Sequence, residues 1–156
     1  IRDRYRYRVI LADSFPAIDE NTLLLKPKNI IVGLGCRKGI SEELLEKGLL
    51  EILKKNHLDM KQIEARVGID QKKEEPAVVS LAEKYKVPFL TYSAEMLNEV
   101  EEVSSASSFV KKITGIDNVC ERAAVTYCKK HCEYFELIAG KSIETAMTAA
   151  IARRNI

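Results

Sequence analysis

The chain has 156 residues, enough for one domain with a sizeable core, with or without a tail. Its 25 basic and 23 acidic side chains leave a net charge of only +2, which argues against bulk nucleic-acid binding and leaves room for a local basic pocket. No apolar run reaches the length of a membrane span, and the charged start Ile1-Arg2-Asp3-Arg4 lacks the apolar segment of a secretory leader.

The first elements are short. Arg8–Leu11 reads as a strand, and a polar loop with Pro16 runs from Asp13 to Asn21. Leu23-Leu24-Leu25 forms an apolar patch, and Pro27 blocks helix continuation behind it. Residues 1–29 are read as a connector coming in from an absent N-terminal region, which agrees with the missing initiator Met.

Ile30-Ile31-Val32 opens the first well-marked strand, apolar on both faces as in a parallel sheet. Gly33-Leu34-Gly35-Cys36-Arg37-Lys38-Gly39 follows it. A helix then starts at Ser41, a good N-cap, with Glu42 and Glu43 suited to the positive end of its dipole. Leu44, Leu45, Leu49, Ile52 and Leu53 recur at helical spacing, and Lys54 and Lys55 suit the other end.

Asp59 is expected to cap a short turn before a second strand, Ile63–Ile69. Asp70 to Glu75 reads as a charged loop, and Pro76 as the first turn of a helix with Val78, Leu81, Ala82 and Tyr85 on its apolar side. Pro88–Tyr92 is the third strand, and Ser93 caps a short helix through Leu97. Glu99 to Ser105 is read as loop, and a helix from Ser107 or Ser108 contains Phe109, Val110 and Ile113 and ends at Gly115. Val119 to Lys129 is helical, with Cys120, Ala123, Ala124, Tyr127 and Cys128 on one face. Tyr134–Ala139 and Met147–Ala152 are the last strands, with Gly140 and the polar run Lys141–Thr145 between them as a hairpin loop. Strands alternating with helices predict a three-layer α/β/α sandwich over residues 30–156, mostly parallel with an antiparallel C-terminal edge.

The glycine loop is the strongest candidate site. Glycines permit positive φ and close backbone approach. A helix N-terminus behind them offers unpaired N–H groups and the positive end of a dipole. Arg37 and Lys38 add two full charges, so the loop suits a carboxylate or a phosphate. Gly-x-Gly-x-x-x-Gly is one residue longer than the dinucleotide fingerprint, and no Walker lysine follows. The alternative is a tight turn carrying surface charge.

Cys36 stands beside two cations near a helix N-terminus, surroundings that lower a thiol pKa, so it is a candidate nucleophile. The alternative is a small residue filling the turn. Cys120, Cys128, His131 and Cys132 are zinc-type donors. They lack the short Cys-x-x-Cys pair, so packing roles are favoured and no metal or other cofactor is assigned. Four cysteines in no disulfide-dense pattern fit a reducing cytoplasm. Asp70, Lys73, Glu75, Arg37 and Ser93 all follow strand ends, where open α/β sheets place their binding crevice. Glu121, at a helix start, and Lys141 and Thr148, in the hairpin, complete the candidates.

Leu25-Lys26-Pro27-Lys28-Asn29-Ile30-Ile31-Val32-Gly33-Leu34-Gly35-Cys36-Arg37-Lys38-Gly39 resembles the opening of the C-terminal domain of the cobalamin-biosynthesis CbiG proteins and of the stand-alone CobE proteins. Lys73-Glu74-Glu75-Pro76, Pro88-Phe89 with Ser93-Ala94-Glu95, Val119-Cys120-Glu121-Arg122-Ala123-Ala124, and Lys141 with Thr148–Arg153 are similar in the same order. The resemblance implies a domain of cobalt-precorrin-5A hydrolase, which opens a δ-lactone on the macrocycle and releases acetaldehyde. Its alternative is a non-catalytic corrinoid-binding module. A nucleotide-binding regulatory domain is disfavoured by the loop length. The implied partners are a cobalt-precorrin and the N-terminal region of the same protein, and a homodimer is one possible assembly.

On that reading Gly33, Gly35, Arg37, Lys38, Gly39, Lys73, Ser93, Lys141 and Thr148 bind the carboxylate-rich substrate. Glu75 or Glu121 could act as base, and Cys36 is the weaker alternative as nucleophile. Loop N–H groups or Lys141 could hold the oxyanion.

Overall fold

The computed structural model describes residues 7–12, 20–100 and 118–155. The helix expected to start at Ser107 or Ser108, and most of the loops around Pro16 and after Glu99, lie outside them. Two strands lead the chain, β1 (Arg8–Leu11) and β2 (Thr22–Leu25). They form a separate parallel ribbon in which Val9 pairs with Leu23 and Leu11 with Leu25. All four of these apolar side chains are exposed.

The main body is a five-stranded sheet. Its strands are β3 (Ile30–Cys36), β4 (Ile63–Ile69), β5 (Phe89–Tyr92), β6 (Phe135–Glu144) and β7 (Met147–Arg154), in the order β5-β4-β3-β7-β6. β3 pairs in parallel with β4, and β4 with β5. β7 is antiparallel to both β3 and β6. The sandwich is therefore mostly parallel by strand direction, and the C-terminal hairpin supplies the antiparallel pairing. That hairpin is tighter than its polar run suggests. Lys141 belongs to β6, and Glu144 pairs with Met147, so only Thr145 and Ala146 form the turn. Ala146 takes a positive φ of 61°, unusual for a residue with a Cβ. The polar residues are tolerated because β6 is an edge strand with one neighbour.

Helix α1 (Glu42–Lys55) is capped by Ser41, whose hydroxyl accepts the Leu44 N–H, and α2 (Pro76–Tyr85) begins on its proline. Both lie on one face of the sheet, where Ile30, Val32 and Leu34 meet Leu45, Leu49, Ile52, Val78 and Leu81. α3 (Ala94–Asn98) and α4 (Val119–His131) cover the other face, where Ile31, Ala65, Val67 and Ile69 meet Leu97, Ala123, Ala124 and Tyr127. The alternating side chains of β3 thus feed two cores, which is why its sequence is apolar throughout.

α4 is buried on more than the expected face, since Glu121, Arg122 and Thr126 are also buried. Arg122 donates through Nη1 to the Val100 carbonyl, which ties α4 to the segment after α3. α4 crosses β3 very closely. A Cβ on Gly33 would lie 1.8 Å from the Cys120 carbonyl oxygen, which is backbone and has no rotamer to change. Gly33→Ala should therefore cost at least about 2 kcal/mol of unfolding free energy. Gly39 takes φ +78° with open space at its Cβ position, so Gly39→Ala should cost less, on the order of 1 kcal/mol. Urea unfolding of the two variants checks the order, and an equal loss would contradict the packing argument.

Candidate functional site

The cavity that joins the sequence-predicted residues has a volume of about 700 Å³. Gly35, Cys36, Arg37 and Lys38 from the end of β3, Ile69, Gln71, Lys72 and Glu75 from the end of β4 and beyond it, the start of α4, and the β6–β7 hairpin line it. It lies at the carboxyl ends of β3 and β4. There the chain, having run outward from β3 to β5, has crossed back to β6 on the other side of β3. Open α/β sheets place their ligands at such reversals of strand order.

Local contacts fix the walls. The Arg37 N–H donates to the Ala146 carbonyl at 2.9 Å, so the glycine loop and the hairpin turn move together. Gly39 N–H donates to Glu75 Oε1 at 2.8 Å, which ties the same loop to the start of α2. Gly35 faces Thr148 across the ladder, and a Cβ there would stand 2.7 Å from Thr148 Oγ1. Each glycine of the motif thus has its own task. Gly33 admits α4, Gly35 admits Thr148, and Gly39 makes the turn.

Asn118 caps α4 in the left-handed region at φ 48°. Its Nδ2 donates to Glu121 Oε2 at 3.0 Å, and its Oδ1 accepts from Cys120 Sγ at 3.5 Å. The same Glu121 oxygen accepts the Lys141 backbone N–H at 2.8 Å. Glu121 has no exposed surface and stitches α4 to β6. Its geometry is that of a positioning group for Lys141 and Asn118.

Arg37, Lys38, Lys72 and Lys141 bring four cations to the cavity. Against them stand Glu75 and Glu144, and Glu144 is paired with Lys55 at 2.9 Å. The cavity therefore carries an excess of positive charge in a nearly neutral chain. It is suited to a ligand with several carboxylates.

Among the candidates named from sequence, Gly35, Cys36, Arg37, Lys38, Glu75, Lys141 and Thr148 line this space. Gly33, Gly39 and Glu121 support it from behind. Lys73 and Ser93 are not part of its wall. Ser93 Oγ accepts the Met96 N–H and caps α3. Lys73 closes the turn Asp70–Lys72 through its N–H, and its neighbour Lys72 reaches the cavity instead. Sequence reading missed Lys72, Asn118 and Cys120 as cavity residues. The asparagine had a signal, since it stands at the cap of a predicted helix.

The sequence offers Cys36 as a candidate nucleophile, and burial works against a thiolate there. Burial pushes its pKa up, Lys72 offsets this in part, and Glu75 adds to it. The chain packs Cys36 opposite Met147 at the end of β3 rather than presenting it at the helix N-terminus. Cys120 is pushed up by burial to about 11, with hydrogen bonding to Thr148 opposing. Cys128 is raised by burial and by Cys132. Cys132 Sγ donates to the Cys128 carbonyl at 2.9 Å, so this pair is engaged in packing and helix closure. All four cysteines are free thiols. Among the described residues no helix is long and apolar enough to cross a membrane. Alkylation of Cys36 by iodoacetamide near neutral pH should be slower than that of a free thiol. Its pH midpoint should lie above the ordinary thiol range, and faster alkylation would restore the activated nucleophile.

Comparison with known proteins places the chain. Residues 30–152 match the family model described as cobalamin synthesis G C-terminus. A probable cobalt-precorrin-5A hydrolase of Methanocaldococcus jannaschii is 28% identical over all of this chain and 50% of its own length. The cobalt-precorrin-5A hydrolase of Priestia megaterium is 33% identical over 86% of this chain and 35% of its own. The chain thus spans half or less of these two relatives. The crystal structure of CobE, a protein from the cobalamin biosynthetic pathway, superimposes with a TM-score of 0.76 at 27% identity. That match covers 83% of this chain and 92% of CobE.

Proposed function

Since the chain belongs to the cobalamin synthesis G C-terminal family, we propose that its cavity binds a cobalt-precorrin and takes part in opening the δ-lactone of cobalt-precorrin-5A. The observation that carries this reading is the excess of cations at the carboxyl ends of β3 and β4. A precorrin edge is dense in acetate and propionate groups. Arg37 offers a planar fork for one carboxylate, and Lys38, Lys72 and Lys141 offer point charges for others.

Glu75 is the better placed of the two carboxylates to activate water. It lines the cavity, and its Oε1 is held by the Gly39 N–H. Water attacks the lactone carbonyl, its proton passes to Glu75, and the ring C–O bond breaks to leave a carboxylate and a hydroxyl. The new hydroxyl then loses its proton and becomes the C=O of acetaldehyde as the C–C bond to the macrocycle breaks, the electron pair of that bond passing into the conjugated ring. Lys141 and the Thr148 hydroxyl are suited to hold the oxyanion. Glu121 acts through Lys141 as a positioning residue, and Cys36 with its raised pKa is left out of the chemistry.

The likeness to nearly the whole of CobE supports a second reading, a binding module that holds the corrinoid while another part reacts. The exposed ribbon bears on the same question. Its face of Val9, Leu11, Leu23 and Leu25 is suited to pack against the remaining half of a longer protein. Four free cysteines fit work in a reducing cytoplasm.

Titration with a cobalt-precorrin or a corrinoid carboxylate should give binding that weakens with salt. Arg37→Ala should lower affinity by roughly tenfold, in line with loss of one charge-assisted pair. Unchanged affinity would remove the loop from the site. Glu75→Gln should bind normally and lose acetaldehyde release from cobalt-precorrin-5A by at least about a hundredfold. Binding without release in the parent chain would favour the module reading. In a longer protein containing this domain, Leu23→Lys should weaken the coupling of the two parts in thermal unfolding. An unaltered coupled transition would show that the ribbon face is not their contact.

A further inference from the structure

A second cavity, of about 860 Å³, lies at the opposite end of the sheet. Lys28 precedes β3, Lys61 precedes β4 and Val87 precedes β5, so it opens at the amino-terminal ends of the parallel strands. The proposed lactone chemistry uses none of its residues. Its rim is basic. Lys26, Lys28, Lys54 and Lys61 line it, with His57 and a single carboxylate, Asp59.

Asp59 is already engaged. Its Oδ1 accepts the Lys61 N–H at 2.9 Å, and its Oδ2 lies 3.4 Å from Lys26 Nζ. Lys28, Lys54 and Lys61 form no ion pair among the described residues. Three lysines with no such pair therefore line one opening, in a chain whose net charge is only +2.

The floor is apolar and partly aromatic, built from Leu53, Leu58, Met60, Tyr85 and Val87. Behind it lies Arg66, which has no exposed surface. Its guanidinium stands 5.5 Å from the Tyr85 ring centroid, with Nη2 3.9 Å from Met60 Sδ. Its Nε has no hydrogen-bond partner among the described residues. A permanent buried charge thus backs the two floor residues that a flat ligand would cover. Glu46 answers part of that charge from the far side of Tyr85, whose hydroxyl donates to it.

The rim itself is held in place. His57 takes a positive φ of 57° where α1 ends. Its N–H donates to the Lys54 carbonyl at 3.1 Å, and the Leu58 N–H donates to the Leu53 carbonyl at 2.9 Å. These bonds satisfy the last carbonyls of α1 and remove much of the negative character that a helix C-terminus would present to an anion.

We propose that this cavity is a second binding site, for a small amphipathic anion with a flat apolar body and two or more carboxylates. The apolar body lies on the Tyr85–Leu58 floor, and the carboxylates meet Lys28, Lys54 and Lys61.

The probe for the test is a naphthalene tetracarboxylate, followed by amide chemical shifts of the isotopically labelled chain. The amides of His57, Leu58 and Lys61 should shift together and saturate, with affinity falling as salt is raised. Lys28→Glu combined with Lys61→Glu should weaken that set at least tenfold. Both side chains are on exposed residues, and unchanged shifts elsewhere would verify the fold. Lys28→Gln with Lys61→Gln should give an intermediate loss. Arg37→Ala, in the other cavity, should leave the His57 and Leu58 shifts in place, which separates this site from the lactone site. Absence of shifts at these amides would overturn the proposal, as would shifts unaffected by the charge reversal.

Discussion

Everything at the site depends on how closely α4 approaches β3. The helix rests its first turn on the backbone of Gly33, with the Cys120 carbonyl oxygen where a side chain would otherwise be. That contact sets the height of the α4 N-terminus above the sheet. Asn118, Cys120 and Glu121 take their positions from it. Through Glu121 the contact also fixes the Lys141 strand segment, because the carboxylate accepts the Lys141 N–H. A side chain at Gly33 would lift the helix and separate the two walls of the cavity.

The electrostatics follow from this packing. The strand ends and loops that meet at the crevice carry Arg37, Lys38, Lys72 and Lys141. Two of the three acidic groups nearby are spent on backbone and partner contacts. Glu144 holds Lys55, and Glu121 holds Asn118 and Lys141, while Glu75 is steadied by the Gly39 N–H and still lines the cavity. Carboxylates that keep the loops in place leave the cations to face the ligand. This division of labour explains how a nearly neutral chain presents a positive cavity. Burial acts on the thiols as well, pushing Cys36 up against the pull of Lys72 and Cys120 up to about 11.

The local elements were legible because each is marked by short-range chemistry. Ser41, Asp59 and Ser93 cap the turns that follow them, and Pro76 opens α2. β3 is apolar for the whole of its buried length, and β4 carries Ile63, Ala65, Val67 and Ile69 at alternate buried positions. The hairpin was less legible. Its strands run through Gly140 and Lys141, because an edge strand tolerates polar residues and its turn uses Ala146 in place of glycine. Lys73 and Lys72 show the same limit at the site. They are adjacent in sequence, and only the course of the turn after β4 decides that Lys72 faces the cavity.

By itself the sequence determined the alternation of strands and helices, the glycine–cysteine–arginine loop, and through it the family. Those properties are carried by neighbours along the chain, where capping, periodicity and φ preference act over a few residues. The tertiary structure alone decided what each glycine is for, which carboxylate faces the cavity and which is spent on positioning, and that Cys36 is partly buried. Those outcomes rest on contacts between residues far apart in sequence, such as Gly33 with Cys120, Gly39 with Glu75, and Glu121 with Lys141. They also rest on burial, which no local pattern encodes for a polar residue.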